Sequence, residues 1–121
     1  MSDIIEEKDP RGVKIYCTQK QWENHIVADT GHPVMKENLL AVQETLRSPE
    51  YIYESHDSEP PLGYREVYSK KVPSASYYST APYTKVIVNV IGGSGELITA
   101  YPAKNPTGGT KGEPIYENHE N

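Results

Sequence analysis

The chain has 121 residues, a formal charge of −5 and one cysteine, which confines it to one domain with a modest core and excludes an intramolecular disulfide or a cysteine-rich zinc site. No apolar run approaches a membrane span, and the acidic start (Asp3, Glu6, Glu7) does not look like a secretory signal, so the cytosol is the expected compartment. Phe is absent while Tyr occurs ten times, so most aromatic bulk carries a hydroxyl that can hydrogen-bond or line a polar cleft.

Residues 1–10 are polar and end at Pro10, which predicts a flexible lead-in. Residues 13–17 alternate enough for a short strand. Thr18 and Gln21 have the spacing of a capping box, the hydroxyl accepting from an early helical N–H and Gln21 reaching back. The helix they open, running to about Ala28, places Trp22, His25 and Ile26 on one face, and Gly31 suits its C-terminal cap. A second helix is expected from about Pro33 to Leu46, where Met35, Leu39, Val42 and Leu46 form one apolar stripe that ends at Ser48-Pro49.

The remainder reads as β-structure. Strands are expected over residues 51–55, 64–71 and 85–91, the last being the most hydrophobic segment and the candidate central strand. Gly92-Gly93-Ser94-Gly95 supplies a hairpin turn into a return strand over 96–101. Residues 73–82 read as irregular, and 104–121, dominated by Pro, Gly and Asn, as a loose tail. The expectation is therefore an α+β domain over 11–103, with N-terminal helices packed on one side of a four-stranded antiparallel sheet.

Two remote clusters carry groups able to move protons around a phosphodiester: His25 with His32-Pro33, and Thr99 with Tyr101. Strict alternation puts Leu97, Thr99 and Tyr101 on one face of the return strand, with hydroxyl and phenol roughly 7 Å apart. Thr and Tyr are also ordinary strand residues that simply pack. His25 shares its helical face with Trp22 and Ile26, where a boundary histidine is equally at home. His32 follows Gly31 at a helix start, where the helix dipole disfavours its protonated form. His56 and His119 fall in expected loops, and the spacing of His25 and His32 is no metal signature. Residues 60–111 carry Arg65, Lys70, Lys71, Lys85, Lys104 and Lys111 against Glu66 and Glu96 alone, so a locally positive face is compatible with the net acidity. Arg65, Lys70 and Lys71 could neutralise phosphate, and Tyr64 could stack an unpaired base, although solvated strand ends and core packing use the same residues.

Trp22-x-x-His25-Ile26, His32-Pro33, Glu44-Thr45-Leu46-x-x-Pro49-x-x-Ile52-Tyr53 and Val86-Ile87-Val88-Asn89-Val90 ahead of Ile98-Thr99-Ala100-Tyr101 together resemble the phage barnase–EndoU–colicin E5/D–RelE-like (PBECR) nuclease domains. The resemblance runs from about Val13 to Pro102. It implies a BECR-like ribonuclease fold and metal-independent RNA cleavage by toxins or phage effectors, without a cofactor. It further implies RNA as substrate, a cognate antitoxin or immunity protein as partner, His25 and His32 as the helical site positions, and Thr99 and Tyr101 as those of the sheet. Where such domains commonly have Arg before the His-Pro pair this chain has Gly31, so the cation would come from Arg65, Lys70 or Lys71. A binding module that does not cut, or an accessory domain of a phage protein, is the alternative expectation.

Overall fold

The polar ends of this chain pair as strands around a more apolar middle. The computed structural model describes residues 3–27, 33–58, 64–72 and 81–118. Strands β1 (Asp3–Lys8) and β2 (Lys14–Thr18) form a hairpin, and a single turn of helix, α1 (Gln19–Gln21), runs into a π-helical turn over Trp22–Ile26. A 3-10 turn (Pro33–Glu37) precedes helix α2 (Leu39–Arg47), and β3 (Tyr51–Ser55), β4 (Arg65–Lys71), β5 (Tyr83–Ile91), β6 (Ser94–Ala103) and β7 (Thr110–Glu117) follow. All seven strands join one sheet in the order β1-β2-β6-β5-β4-β3-β7. The most hydrophobic strand, β5, thus lies at its centre.

The expected four-stranded antiparallel sheet with a pack of N-terminal helices is corrected on two counts. The sheet has seven strands and is mixed, because β2 runs parallel to β6 with Lys14 to Tyr16 beside Ser94 to Glu96. Among the described residues the helical segments are short, and only α2 exceeds two turns. The central meander from β3 to β6 matches the expected strands. The additions come from segments whose polarity suggested a lead-in and a tail. An edge strand needs only one buried face, and charge along its open side discourages pairing with another chain. In β1, Ile5 is fully buried while Asp3, Glu6 and Lys8 are exposed. In β7, Lys111, Gly112, Glu113, Ile115 and Glu117 are exposed, and Pro114 lacks the N–H that an inward ladder position would use.

One face of the sheet carries the helices. Val42 and Leu46 of α2, with Trp22, Ile26 and Met35, pack against Ile5, Ile15, Cys17, Ile52, Tyr68, Val86, Val88, Leu97 and Ala100. Within this core sits one ionic cluster. Arg11, in the β1–β2 turn, bonds Asp9 at 2.7 Å and Glu66 at 2.7 Å, and Tyr68 donates to Asp9 at 2.6 Å. Burial opposes the Asp9 charge, but hydrogen bonds from Tyr68 and Arg11 outweigh it and hold its carboxyl below the ordinary value. The cluster fastens the first hairpin onto β4 and keeps both carboxylates paired. Among the described residues no helix is long and apolar enough to cross a membrane.

Candidate functional site

The β5–β6 hairpin closes through Gly92 and Gly93, both with positive φ (59° and 84°), the two-residue turn that the twist of paired strands favours. From that turn the register runs Ile91 to Ser94, Asn89 to Glu96 and Val88 to Leu97, and then slips by one residue, so that Ile87 faces Thr99 and Lys85 faces Tyr101. The extra residue is Ile98, a β-bulge. Strict alternation would have kept Leu97, Thr99 and Tyr101 together. Instead Leu97 is buried in the core beside Val88, while Thr99 and Tyr101, half-buried, share the outer face with Ile87 and Lys85.

β2 pairs with β6 only as far as Glu96, so among the described residues the stretch bearing Thr99 and Tyr101 has no strand on that side. The π-helical turn takes up this position. The Gln21 backbone N–H donates to Thr18 Oγ1 at 3.1 Å, the forward half of the expected capping box. The Gln21 side chain does not reach back: Nε2 donates to the Ile98 carbonyl at 3.0 Å, across 77 residues of sequence. Trp22 and Ile26 point into the core and leave His25 exposed. The turn closes with Val27 N–H donating to the Trp22 carbonyl at 2.9 Å, the wide hydrogen bonding of a π-bulge. The fold thus joins the His25 segment to the bulge beside Thr99. His32 lies outside the described residues.

The crossover from β6 to β7, residues 104–109, passes over the outer face. Asn105 Oδ1 shapes it by accepting from Thr107 N–H at 3.2 Å and Gly108 N–H at 3.0 Å. Beneath it Lys85, only 1% exposed, donates from Nζ to the Gly108 carbonyl, and burial pushes its amine below the usual lysine value. Ser69, opposite Lys85 on β4, has a fully buried hydroxyl with no hydrogen-bond partner among the described residues. His56 places Nδ1 2.9 Å from the Gly109 carbonyl. Burial, and secondarily the charge of Asp57, raise the Tyr101 phenol above its ordinary value, which keeps it a proton donor.

The other sequence-predicted residues divide between the faces. Arg65 and Lys71 share the outer face, where Arg65 Nη1 bonds Asp57 at 3.1 Å and Lys71 is exposed at the end of β4. Lys70 faces the helices and is held by Ser48 at 2.8 Å and Glu44 at 3.2 Å, so it anchors α2 and leaves the candidate site. Tyr64 bonds Glu66, and burial followed by that bond pushes its phenol up to about 12; it belongs to the Arg11 cluster, away from Thr99. Sequence reasoning missed Lys85. Its signal is weak: a lysine at the head of an apolar strand, on the face opposite Val86 and Val88. Among the described residues no three His, Cys, Asp or Glu side chains converge as a metal ion would require.

No family model matches the chain, and no curated protein or solved structure is detectably similar to it.

Proposed function

We propose that this domain is a metal-independent endoribonuclease of the toxin or phage-effector type, resembling the PBECR nucleases, and that it acts on single-stranded RNA or tRNA in the cytoplasm. The observation that carries the reading is the Gln21–Ile98 hydrogen bond, 3.0 Å long, which ties the turn of His25 to the strand of Thr99 and Tyr101. In the proposed reaction His25 takes the proton of a ribose 2′-hydroxyl, whose oxygen bonds to the adjacent phosphorus. The bond from phosphorus to the 5′-oxygen breaks, and Tyr101 gives that oxygen its proton. Cleavage leaves a 2′,3′-cyclic phosphate and a 5′-hydroxyl. The Thr99 hydroxyl, with Arg65 and Lys71, stabilises charge building on the phosphate. Positioned acid–base groups contribute about 10²–10⁴-fold, and well-placed donors about 10²–10³-fold, so this sparse set suffices for useful rates. A toxin of this kind would be held in check by an antitoxin or immunity protein.

The test is cleavage of bulk tRNA, or of an oligonucleotide with 2′-hydroxyls, in EDTA. His25→Ala and Thr99→Val should each slow cleavage at least about tenfold, and a deoxyribose substrate should be inert. Unchanged rates in both variants would remove these residues from the mechanism.

One observation favours a second reading, a module that binds without cutting. Two cations of the outer face are already engaged, Arg65 by Asp57 and Lys85 by the Gly108 carbonyl. Tight RNA binding with no cleavage products under any condition would decide for it.

A further inference from the structure

Residues 104–109 cross the outer face as a strap that is bonded within itself more richly than to the sheet beneath. Asn105 Oδ1 gathers the N–H groups of Thr107 and Gly108 and the Thr107 hydroxyl, at 3.2, 3.0 and 3.2 Å. The Thr110 hydroxyl donates back to the Thr107 carbonyl at 2.6 Å. Lys104, Asn105, Thr107, Gly108 and Gly109 are exposed, and Pro106 is half-buried. The strap therefore buries little apolar surface, and polar bonds decide whether it lies down.

Its attachments differ in kind. At the β7 end the Gly109 carbonyl accepts from the His56 backbone N–H at 2.9 Å, next to the Ser55–Thr110 pair that joins β7 to β3. The sheet itself fixes that end. Lys85 Nζ donates to the preceding carbonyl, that of Gly108, and so holds the strap down over the centre of the sheet.

This latch is poorly satisfied from below. Lys85 is 1% exposed, and no carboxylate pairs with it among the described residues. Ser69, its partner across β4, is wholly buried with a hydroxyl that has no hydrogen-bond partner among the described residues. Closing the strap strips water from an ammonium and a hydroxyl and returns one bond to a neutral carbonyl. Desolvation of the two groups offsets most of that bond, so the closed and open positions lie close in free energy.

What the strap covers is Tyr101, the residue opposite Lys85 on β6. Gly109 has a φ of 75°, and a Cβ there would stand 4.0 Å from the Tyr101 hydroxyl oxygen and 3.5 Å from His56 Nδ1. Glycine lets the main chain lie against the phenol. A phosphodiester approaching Tyr101 from the outer face meets the strap first.

We propose that residues 104–109 are an autoinhibitory strap, latched by the bond from Lys85 to the Gly108 carbonyl, and that RNA reaches Tyr101 only when the latch opens. The inhibitory role rests on the nuclease reading; the latch does not. Two variants of the intact protein separate them. Asn105→Ala dissolves the strap's own bonds and leaves every residue of the sheet in place, whereas Lys85→Met removes the latch and leaves the strap's own bonds. Opening is read as acetylation of Lys85 by an N-hydroxysuccinimide ester, followed by peptide mass spectrometry with exposed Lys20 as the reference. Inhibition is read as the initial rate of tRNA cleavage in EDTA.

Asn105→Ala should acetylate Lys85 about two- to tenfold faster than the wild type, the net worth of one hydrogen bond in an opening equilibrium. Both variants should cut RNA faster by a similar factor while keeping a cooperative unfolding transition. Acetylation of Lys85 unchanged by Asn105→Ala overturns the latch. Faster acetylation with cutting unchanged or slowed in both variants overturns the inhibition and leaves the nuclease reading standing. Faster acetylation in proteins that cut no RNA overturns the nuclease reading, and the inhibitory role with it.

Discussion

The two faces of the sheet are made by the same strands and have opposite chemistry. Toward the helices, Ile15, Cys17, Val86, Val88, Leu97 and Ala100 form an apolar layer, with the paired cluster around Arg11 set into it. On the outside, Tyr16, Asn89, Glu96, Thr99, Tyr101 and Lys85 present hydroxyl, amide, carboxylate and amine groups within three successive rungs of strands β5 and β6. Alternation along a strand creates this division. One inserted residue, Ile98, decides on which side Thr99 and Tyr101 fall. The comparison teaches that the core holds the fold while the bulge sets the chemistry.

Ala100→Asp should break the distinction most severely. Ala100 is fully buried in the apolar layer, so a carboxyl there has no partner and should cost several kcal/mol, whereas the same change at Thr99, the adjacent residue on the outer face, should cost far less. Denaturant unfolding of the two variants measures this; equal losses of stability at the two positions would falsify the assignment of faces. Next in size is Arg11→Ala, which leaves Asp9 and Glu66, 3% and 2% exposed, as unpaired carboxylates. The expected loss is about 3 kcal/mol by urea denaturation, with catalysis per folded molecule unchanged.

Tyr101→Phe sharpens the comparison from the other side. It should change stability little and lower the cleavage rate about 10²-fold or more. Because burial and Asp57 raise this phenol, the wild-type rate should not fall from loss of its proton until the pH passes the ordinary tyrosine value of 10.0, and that alkaline limb should vanish in the Phe variant. The smallest effect concerns acid. The Asp9 carboxyl in the fold lies below its ordinary 3.8, so its ionised form contributes stability that is fully present above that value and is lost as pH falls beneath it. Unfolding monitored between pH 5 and pH 2 should show this loss, and Arg11→Ala should show less of it; an identical acid profile in the two proteins would count against the cluster.

The legible part of the fold was the part with strong periodicity. The apolar stripe of Met35, Val42 and Leu46 and the alternation around Val86 and Val88 lead to α2 and to the meander with the right residues buried. The edges were not legible, because the three exposed charges of β1 and the Pro and Gly of β7 are what both a tail and a protected edge strand look like. The parallel contact of β2 with β6 depends on residues 80 apart and leaves no local trace. In the candidate site, Thr99, Tyr101 and His25 stood out by residue type, but a single-residue bulge has no compositional signature. Lys85 counts in the sequence only as one cation among six, because its burial depends on a crossover that joins β6 to a strand on the far side of the sheet.

That distant pairing has a kinetic corollary. The hairpins from β3 to β6 close over shorter loops, whereas β7 must find β3 across about half of the chain and β2 must find β6 across about two thirds of it. Loop-closure entropy makes such long-range docking slow, so the meander is expected to form early and both borders to zip on afterwards. The rungs of β5 and β6 would then be in register before residues 104–109 lie across them, and Lys85 would pass from water to its buried position in a late step of folding.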